Sequence, residues 1–314
     1  MFINEKWSIG NIIKQEREKR GATQKQLCRG LCSISTLNRI ENDERDMDMF
    51  LQLRIFQRLG YSPNKFELYG SCEEQEQYNQ RLLIEKYMRQ NNLAEMKKEL
   101  CSYRGKWRKW VETEPLHKQF VLGMENYLEV KEGNVAKGID GLMAAIEITV
   151  PDLKDELYRK TLIGEDELAL FDSLACAYDL KGDRYKAFRI RENIIDYLER
   201  NQPRADQMVR LYAKIICGMA PVMLEMEKAT ECLERCNHAI EILSSQGRLF
   251  HLQDLLYWKA QSIEKLYVQG DIERQAVIEV FQRAYFMYDL IGDEKMADTV
   301  WNYLSEVYEW ECIR

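Results

Sequence analysis

Ser35, Asn38 and Arg39 place a hydroxyl, a carboxamide and a guanidinium at helical spacing within five residues, with Ile34 beside them. These are the donors and acceptors that can hydrogen-bond base edges in a nucleic-acid groove, and the isoleucine can add an apolar contact. Groups of this kind discriminate only when a rigid element presents them, so the surrounding residues decide the reading.

They lie in the stretch GATQKQLCRGLCSISTLNRIE, from Gly21 to Glu41. Thr23 followed three places on by Gln26 is a capping box, in which each side chain satisfies an orphan backbone N–H of the other, so a helix starts at Thr23. Leu27 and Leu31 fall on one face. A second helix begins near Ser33, a good N-cap, with Leu37 and Ile40 as its buried stripe and Ile34, Ser35, Asn38 and Arg39 left outside. Ile9, Ile12 and Ile13 before the pair, and Phe50, Leu53, Phe56 and Leu59 after it, add two helices, the last ended by Gly60. The spacing predicts one small bundle around two short helices and a tight turn, the helix-turn-helix pattern whose second helix enters a DNA major groove.

Over residues 8 to 62 the chain resembles the phage-repressor (Cro/C1, XRE) class of helix-turn-helix, through Thr23–Gln24 and the segment SISTLNRIEN. The resemblance implies that Gln24 and Ser33 hold phosphates, that Ile34, Ser35 and Arg39 face base edges, and that Asn38 flanks them. It also implies a partly buried Arg17–Glu41 ion pair. Ile34 departs from the class, which places a polar side chain there; it meets a thymine methyl or reads little, leaving Arg39 as the main guanine reader. A solvated polar face, or a helix-turn-helix kept only for dimerisation, is the competing reading. Capping box, turn and stripe together favour DNA.

Residues 1 to 70 hold 12 Lys and Arg against 9 Asp and Glu, a net of +3, while the whole chain is at −7 and the remainder therefore at −10. Only the N-terminal part suits a polyanion. So modest a charge predicts weak binding by one copy, and therefore a homodimer on a double-stranded operator.

Beyond residue 70 the chain has few proline, glycine or β-branched runs, and 46% of all 314 residues are hydrophobic, enough for a sizeable helical core. Phe171, Leu174, Ala175 and Tyr178, then Gly182 and Asp183, then Ala187 and Ile194 look like a tetratricopeptide (TPR) repeat, with Arg191 where an aromatic is usual. Looser copies turn at Asn91–Asn92, at Gly133–Asn134 with Ala145 in the second helix, and at Gly270–Asp271; another runs through Ile216, Ala220, Ala229 and Ala239 with Pro221 inside it. An extended loop is expected at 148–166, and a last helix from Thr299 to Trp310 as cap or dimer contact. The expected fold is all-α, a helix-turn-helix bundle at 1–68 followed by a TPR-like right-handed α-solenoid at 69–314.

A solenoid of this kind presents a concave wall suited to an extended peptide. The registers place Phe120, Tyr127, Asp172, Cys176, Lys214, Tyr257, Gln261, Glu264 and Asn302 on it. For Phe120, Tyr127 and Tyr257, packing between repeats is the simpler reading, which leaves Asp172, Cys176, Lys214, Gln261, Glu264 and Asn302, with Tyr257 among them, as the peptide-binding set. Domain order, length and the LCSISTLNRIEN segment are similar to the Rgg, PlcR and PrgX type of peptide-pheromone receptors (RRNPP). That resemblance implies a transcription regulator in which a short imported peptide alters DNA binding, with no enzyme activity and no cofactor. A ligand-independent or protein-sensing repressor of a mobile element, and a TPR scaffold with a vestigial helix-turn-helix, are the other classes the sequence admits.

Nine cysteines are scattered rather than paired at metal spacing, and the absence of an apolar leader in MFINEKWSIG predicts reduced thiols and a cytoplasmic protein. Cys232, Cys236 and His238 invite a zinc reading, but His238 points about 200° away from Cys232 on a helix, against the convergence zinc needs. His117, His238 and His251 lack a nucleophile or carboxylate beside them, and no glycine-rich phosphate loop occurs. The basic, aromatic run Lys97–Lys109 reads as a solvated helix end, with contact to DNA flanks as the alternative. No stretch is apolar enough for a membrane span.

Overall fold

The computed structural model describes residues 8–61, 71–151, 162–201, 206–270 and 273–310, all helical or connecting, with no strand among them. Two compact units divide at residues 205 and 206.

The first unit opens with α1 (Ile9–Lys19), α2 (Gln24–Cys28), α3 (Ile34–Glu41) and α4 (Met49–Arg58). Each starts on a side-chain cap: Ser8, Thr23 with its full capping box, Ser33 and Asp48. Those caps satisfy orphan amides at the helix starts, so four short helices that would fray alone have defined beginnings. Ile13, Leu27, Leu37, Ile40, Ile55, Phe56 and Leu59 close the core between them. The expected boundary at 68/69 lies outside the described residues.

Helix pairs follow: α5 (Cys72–Arg89) with α6 (Leu93–Lys106), α8 (Pro115–Lys131) with α9 (Val135–Thr149), and α10 (Glu165–Lys181) with α11 (Arg184–Asn201). A short α7 (Arg108–Thr113) precedes Pro115, whose missing N–H is harmless at the first turn of α8. The turns are where the sequence puts them. Asn91 takes the left-handed conformation, and Gly182, at φ 88°, ends α10 while its N–H bonds Asp179 O and that of Asp183 bonds Tyr178 O. Of the expected loop 148–166, residues 152–161 lie outside the description; the flanking helices end at Thr149 and begin at Glu165.

The second unit stacks α12 (Asp206–Glu225), α13 (Ala229–Ser245), α14 (Leu252–Gln269), α15 (Arg274–Ile291) and α16 (Glu294–Tyr308), each packed on the next. Pro221 sits inside α12 without ending it. Ile263, Val277, Phe281, Tyr288, Val300 and Leu304 form the core of α14 to α16, each contributing roughly 1.5–3 kcal/mol by burial. The last helix starts five residues before the expected Thr299, because Gly292 (φ 78°) and Asp293 make one more turn of the kind seen at Gly182, with Asp293 capping Met296 N.

Candidate nucleic-acid interface

The helix-turn-helix is built on a close crossing of α1 and α3. A Cβ on Gly10 would stand 2.0 Å from Ile40 O, so only glycine permits this approach. Beside that crossing Arg17 is buried and donates through Nε to Glu41 Oε1 at 2.6 Å, through Nη2 to Oε2 at 2.9 Å, and through Nη1 to Ala22 O at 2.9 Å. The bond to Glu41 outweighs burial and raises the Arg17 pKa further. The expected ion pair therefore ties α1 to the end of α3 and to the approach to α2.

This frame leaves one face of α3 open. Ser33, Ile34, Ser35, Asn38 and Arg39 are all exposed, Ile34 at 48%, and Arg39 has no ion pair among the described residues. The Ser33 hydroxyl accepts from Thr36 N at 3.0 Å, which commits it to capping and leaves the helix start facing outward. Gln24 is half-buried; its Nε2 donates to Glu41 Oε2 at 2.8 Å and to Asn38 Oδ1 at 3.2 Å. Gln24 is thus a strut between α2 and α3, and Asn38 is left to offer its NH2 outward. The structure brings all six predicted DNA-contact residues onto one side of the bundle.

Sequence reasoning missed what lies behind the bundle. Helix α4 reads as amphipathic, yet Gln52, Arg54, Gln57 and Arg58 are as buried as its apolar stripe. Arg58, 1% exposed, donates through Nη1 to Leu27 O (2.9 Å) and Arg29 O (2.7 Å), and through Nη2 to Thr149 O (3.0 Å) and Glu167 Oε1 (2.7 Å). Arg54 reaches Gln119 Oε1 at 2.9 Å, Asp166 Oδ2 at 3.0 Å and Glu167 Oε1 at 3.2 Å. Thr149 Oγ1 donates to Glu167 at 2.6 Å, and Gly164 N caps the same carboxylate at 2.6 Å. Burial raises the Glu167 pKa, but Arg58 and Arg54 overcome it and hold the group down to about 2. The only sequence signal is two arginines at i, i+4 within α4 and an acidic run at the start of α10.

The predicted peptide-binding residues separate by unit. In the first, Asp172 is buried and Cys176 half-buried on α10. Arg191, in place of the usual TPR aromatic, is buried against them, with Nη1 2.6 Å from Asp179 and Nη2 3.6 Å from Cys176 Sγ. Phe120 packs with the core of α5 to α8, and Tyr127 lies under Lys131. In the second unit Lys214 on α12 and Asn302 on α16 are exposed. Tyr257 and Gln261, one turn apart on α14, meet at 3.4 Å, and the Tyr257 ring stands edge-on to Phe281 at 6.3 Å. Glu264, the next along that face, accepts from both Tyr303 and Tyr308 at 2.5 Å.

Cys232 and Cys236 are buried on α13 while His238 is exposed; among the described residues no three His, Cys, Asp or Glu are grouped to hold a metal. In the basic run, Lys97 pairs with Glu132, Arg104 with Glu125 and Lys106 with Glu76, so these three cations serve exposed ties between helices, while Lys98 and Arg108 pair within their own helices. No described helix is long and apolar enough to cross a membrane.

Comparison with known proteins fits this geometry. Residues 146–306 match the model of the RNPP family C-terminal domain, and residues 13–66 match a helix-turn-helix model. No curated protein sequence matches the chain. Among solved structures, Bacillus thuringiensis PlcR in complex with the peptide PapR7 and DNA is 20% identical, with a TM-score of 0.55 over 93% of this chain and 98% of PlcR. PlcR in its apo form is 17% identical, with a TM-score of 0.57 over 94% of this chain and 98% of that one. At these identities the likeness establishes a shared fold along almost the full length of both chains.

Proposed function

The chain belongs to the RNPP family, and from that premise we propose that it is a transcription regulator whose helix-turn-helix binds an operator and whose TPR-like repeats sense a short signalling peptide. The observation that carries the proposal is the open face of α3, where Ile34, Ser35, Asn38 and Arg39 are exposed together while Leu37, Ile40 and Glu41 on its other face are buried. In this reading Arg39 donates to a guanine edge, Ser35 and Asn38 read or flank neighbouring bases, and Ile34 meets a thymine methyl. Ser33 and Gln24 meet phosphates through the start of α3 and the Gln24 carboxamide. Residues 1–68 form the DNA module and 69–314 the sensing region. The net of +3 on residues 1 to 70 makes one copy a weak binder, which supports a homodimer on a two-fold operator.

The peptide half draws on family membership and on the peptide held by PlcR in its complex. Tyr257 and Gln261 with the exposed Lys214 and Asn302 are the residues we assign to the peptide in the second unit. Glu264 acts behind that surface, since it is engaged by Tyr303 and Tyr308; in the first unit, Asp172 is buried and Cys176 is engaged by Arg191. The test is to titrate the full chain onto its selected operator with and without synthetic peptides encoded beside the gene. One peptide that shifts occupancy, with the shift lost in Gln261→Ala, supports the reading; occupancy indifferent to every peptide leaves a ligand-independent or protein-sensing repressor.

A further inference from the structure

The turn that aims α3 is tied to Thr149, Pro151 and Glu167 outside its own bundle, in part through Arg58 of α4. Leu27 O and Arg29 O, the carbonyls that end α2, both accept from Arg58 Nη1. The other arm of the same guanidinium is fixed by Thr149 O and Glu167, at the corner where α9 ends and α10 begins. Gly30, in the left-handed region at φ 70°, lies so close to that corner that a Cβ would stand 2.3 Å from Thr149 O. Arg29 Nη2 adds a bond to Pro151 O at 2.8 Å. Ser33, the first residue of the exposed face, follows three positions after Gly30.

We propose that Arg58 and Glu167 are positioning residues for DNA recognition: through the α2–α3 turn they fix the angle at which the α9–α10 corner presents α3. None of their contacts lies on the exposed face, so they act through the turn. A buried, charge-paired mount with backbone contact on both sides is stiff, whereas modules on a loose tether would accommodate a range of half-site separations. The inference rests on the DNA-binding reading and adds to it that discrimination between half-site spacings originates at Glu167.

The experiment measures binding of the full chain to its selected operator, to the same operator with the half-sites moved by one or two base pairs, and to a single half-site. Wild type should prefer one spacing by about tenfold, since moving a half-site by one base pair displaces it by about 3.4 Å and turns it by about 35° around the duplex. Glu167→Gln should bind all spacings within about twofold of one another while keeping its single half-site affinity, because the side chains that read bases are untouched. Thr149→Val, which removes one hydroxyl and no charge, should lose part of the preference, and Thr149→Ser should restore it. That pair decides the matter if Glu167→Gln does not fold. Undiminished spacing preference in folded Glu167→Gln, or equal loss on single and paired half-sites, would overturn the inference. Failure of wild type to select any operator would overturn the DNA-binding reading, and this inference with it.

Discussion

Gln24 and Arg17 share one acceptor: Glu41 Oε2 takes the Gln24 amide at 2.8 Å and Arg17 Nη2 at 2.9 Å. A single buried carboxylate therefore joins α1, α2 and α3, and the angle between the two helices of the motif depends on it.

Arg17→Leu should accordingly destabilise the N-terminal bundle by about 3–5 kcal/mol, because Glu41 would be left buried without its cation. Chemical denaturation followed by amide exchange of the α1–α4 backbone checks this. A loss below 1 kcal/mol would show that Glu41 finds water or another partner.

Glu85 on α5 titrates in the opposite sense to most carboxylates. Burial, and then the charge of Asp166, raises its pKa to about 7. A carboxyl raised in the folded state contributes stability below its unfolded value near 4.5, and that contribution is lost as pH rises through 7. Glu85→Gln should therefore raise the melting temperature at pH 8 and leave it nearly unchanged at pH 4.5. Equal effects at both pH values would contradict the assignment.

Glu167 shows the ordinary sign. With its pKa held down to about 2, its contribution is present above the unfolded value near 4.5 and is lost as pH falls from there toward 2. Acid titration of the folded chain should loosen the contact of α4 with α10 in that window. Hydrogen exchange at Arg58 and its neighbours in α4 should report it, and Glu167→Gln should show no such step.

In the second unit, Tyr303 and Tyr308 donate to the same oxygen of Glu264. Bonds to a charged acceptor contribute about 1.5–3 kcal/mol each. Tyr303→Phe and Tyr308→Phe should thus each lower stability, and the double variant should cost more than their sum, since either hydroxyl alone still partners the carboxylate and only the double variant removes both donors. Strict additivity in a double-mutant cycle would contradict a shared acceptor.

What was legible in the sequence was local. Thr23 with Gln26, Ser33, Gly182 with Asp183 and Asn91 each determine a helix end within a few residues, so the motif and most of the repeat turns could be placed by inspection. Gly292 and Asp293 carried the same signal and went unread, which displaced the start of α16. Long-range burial left no comparable mark. The polar residues of α4 follow the period of a solvent face, and only their packing against α8 to α10 turns Arg54 and Arg58 into buried charges. Glu264 failed to read as an internal anchor for the same reason: its partners lie 39 and 44 residues away.

The most direct measurement is selection of DNA from a random pool by the purified full chain, repeated with Arg39→Ala and Gln24→Ala. The account predicts a two-fold symmetric consensus. In it, Arg39→Ala should lose about 1–3 kcal/mol of discrimination at one base position of each half-site, while Gln24→Ala should weaken all sequences alike. No enriched consensus, or equal loss on cognate and scrambled DNA for both variants, would contradict it.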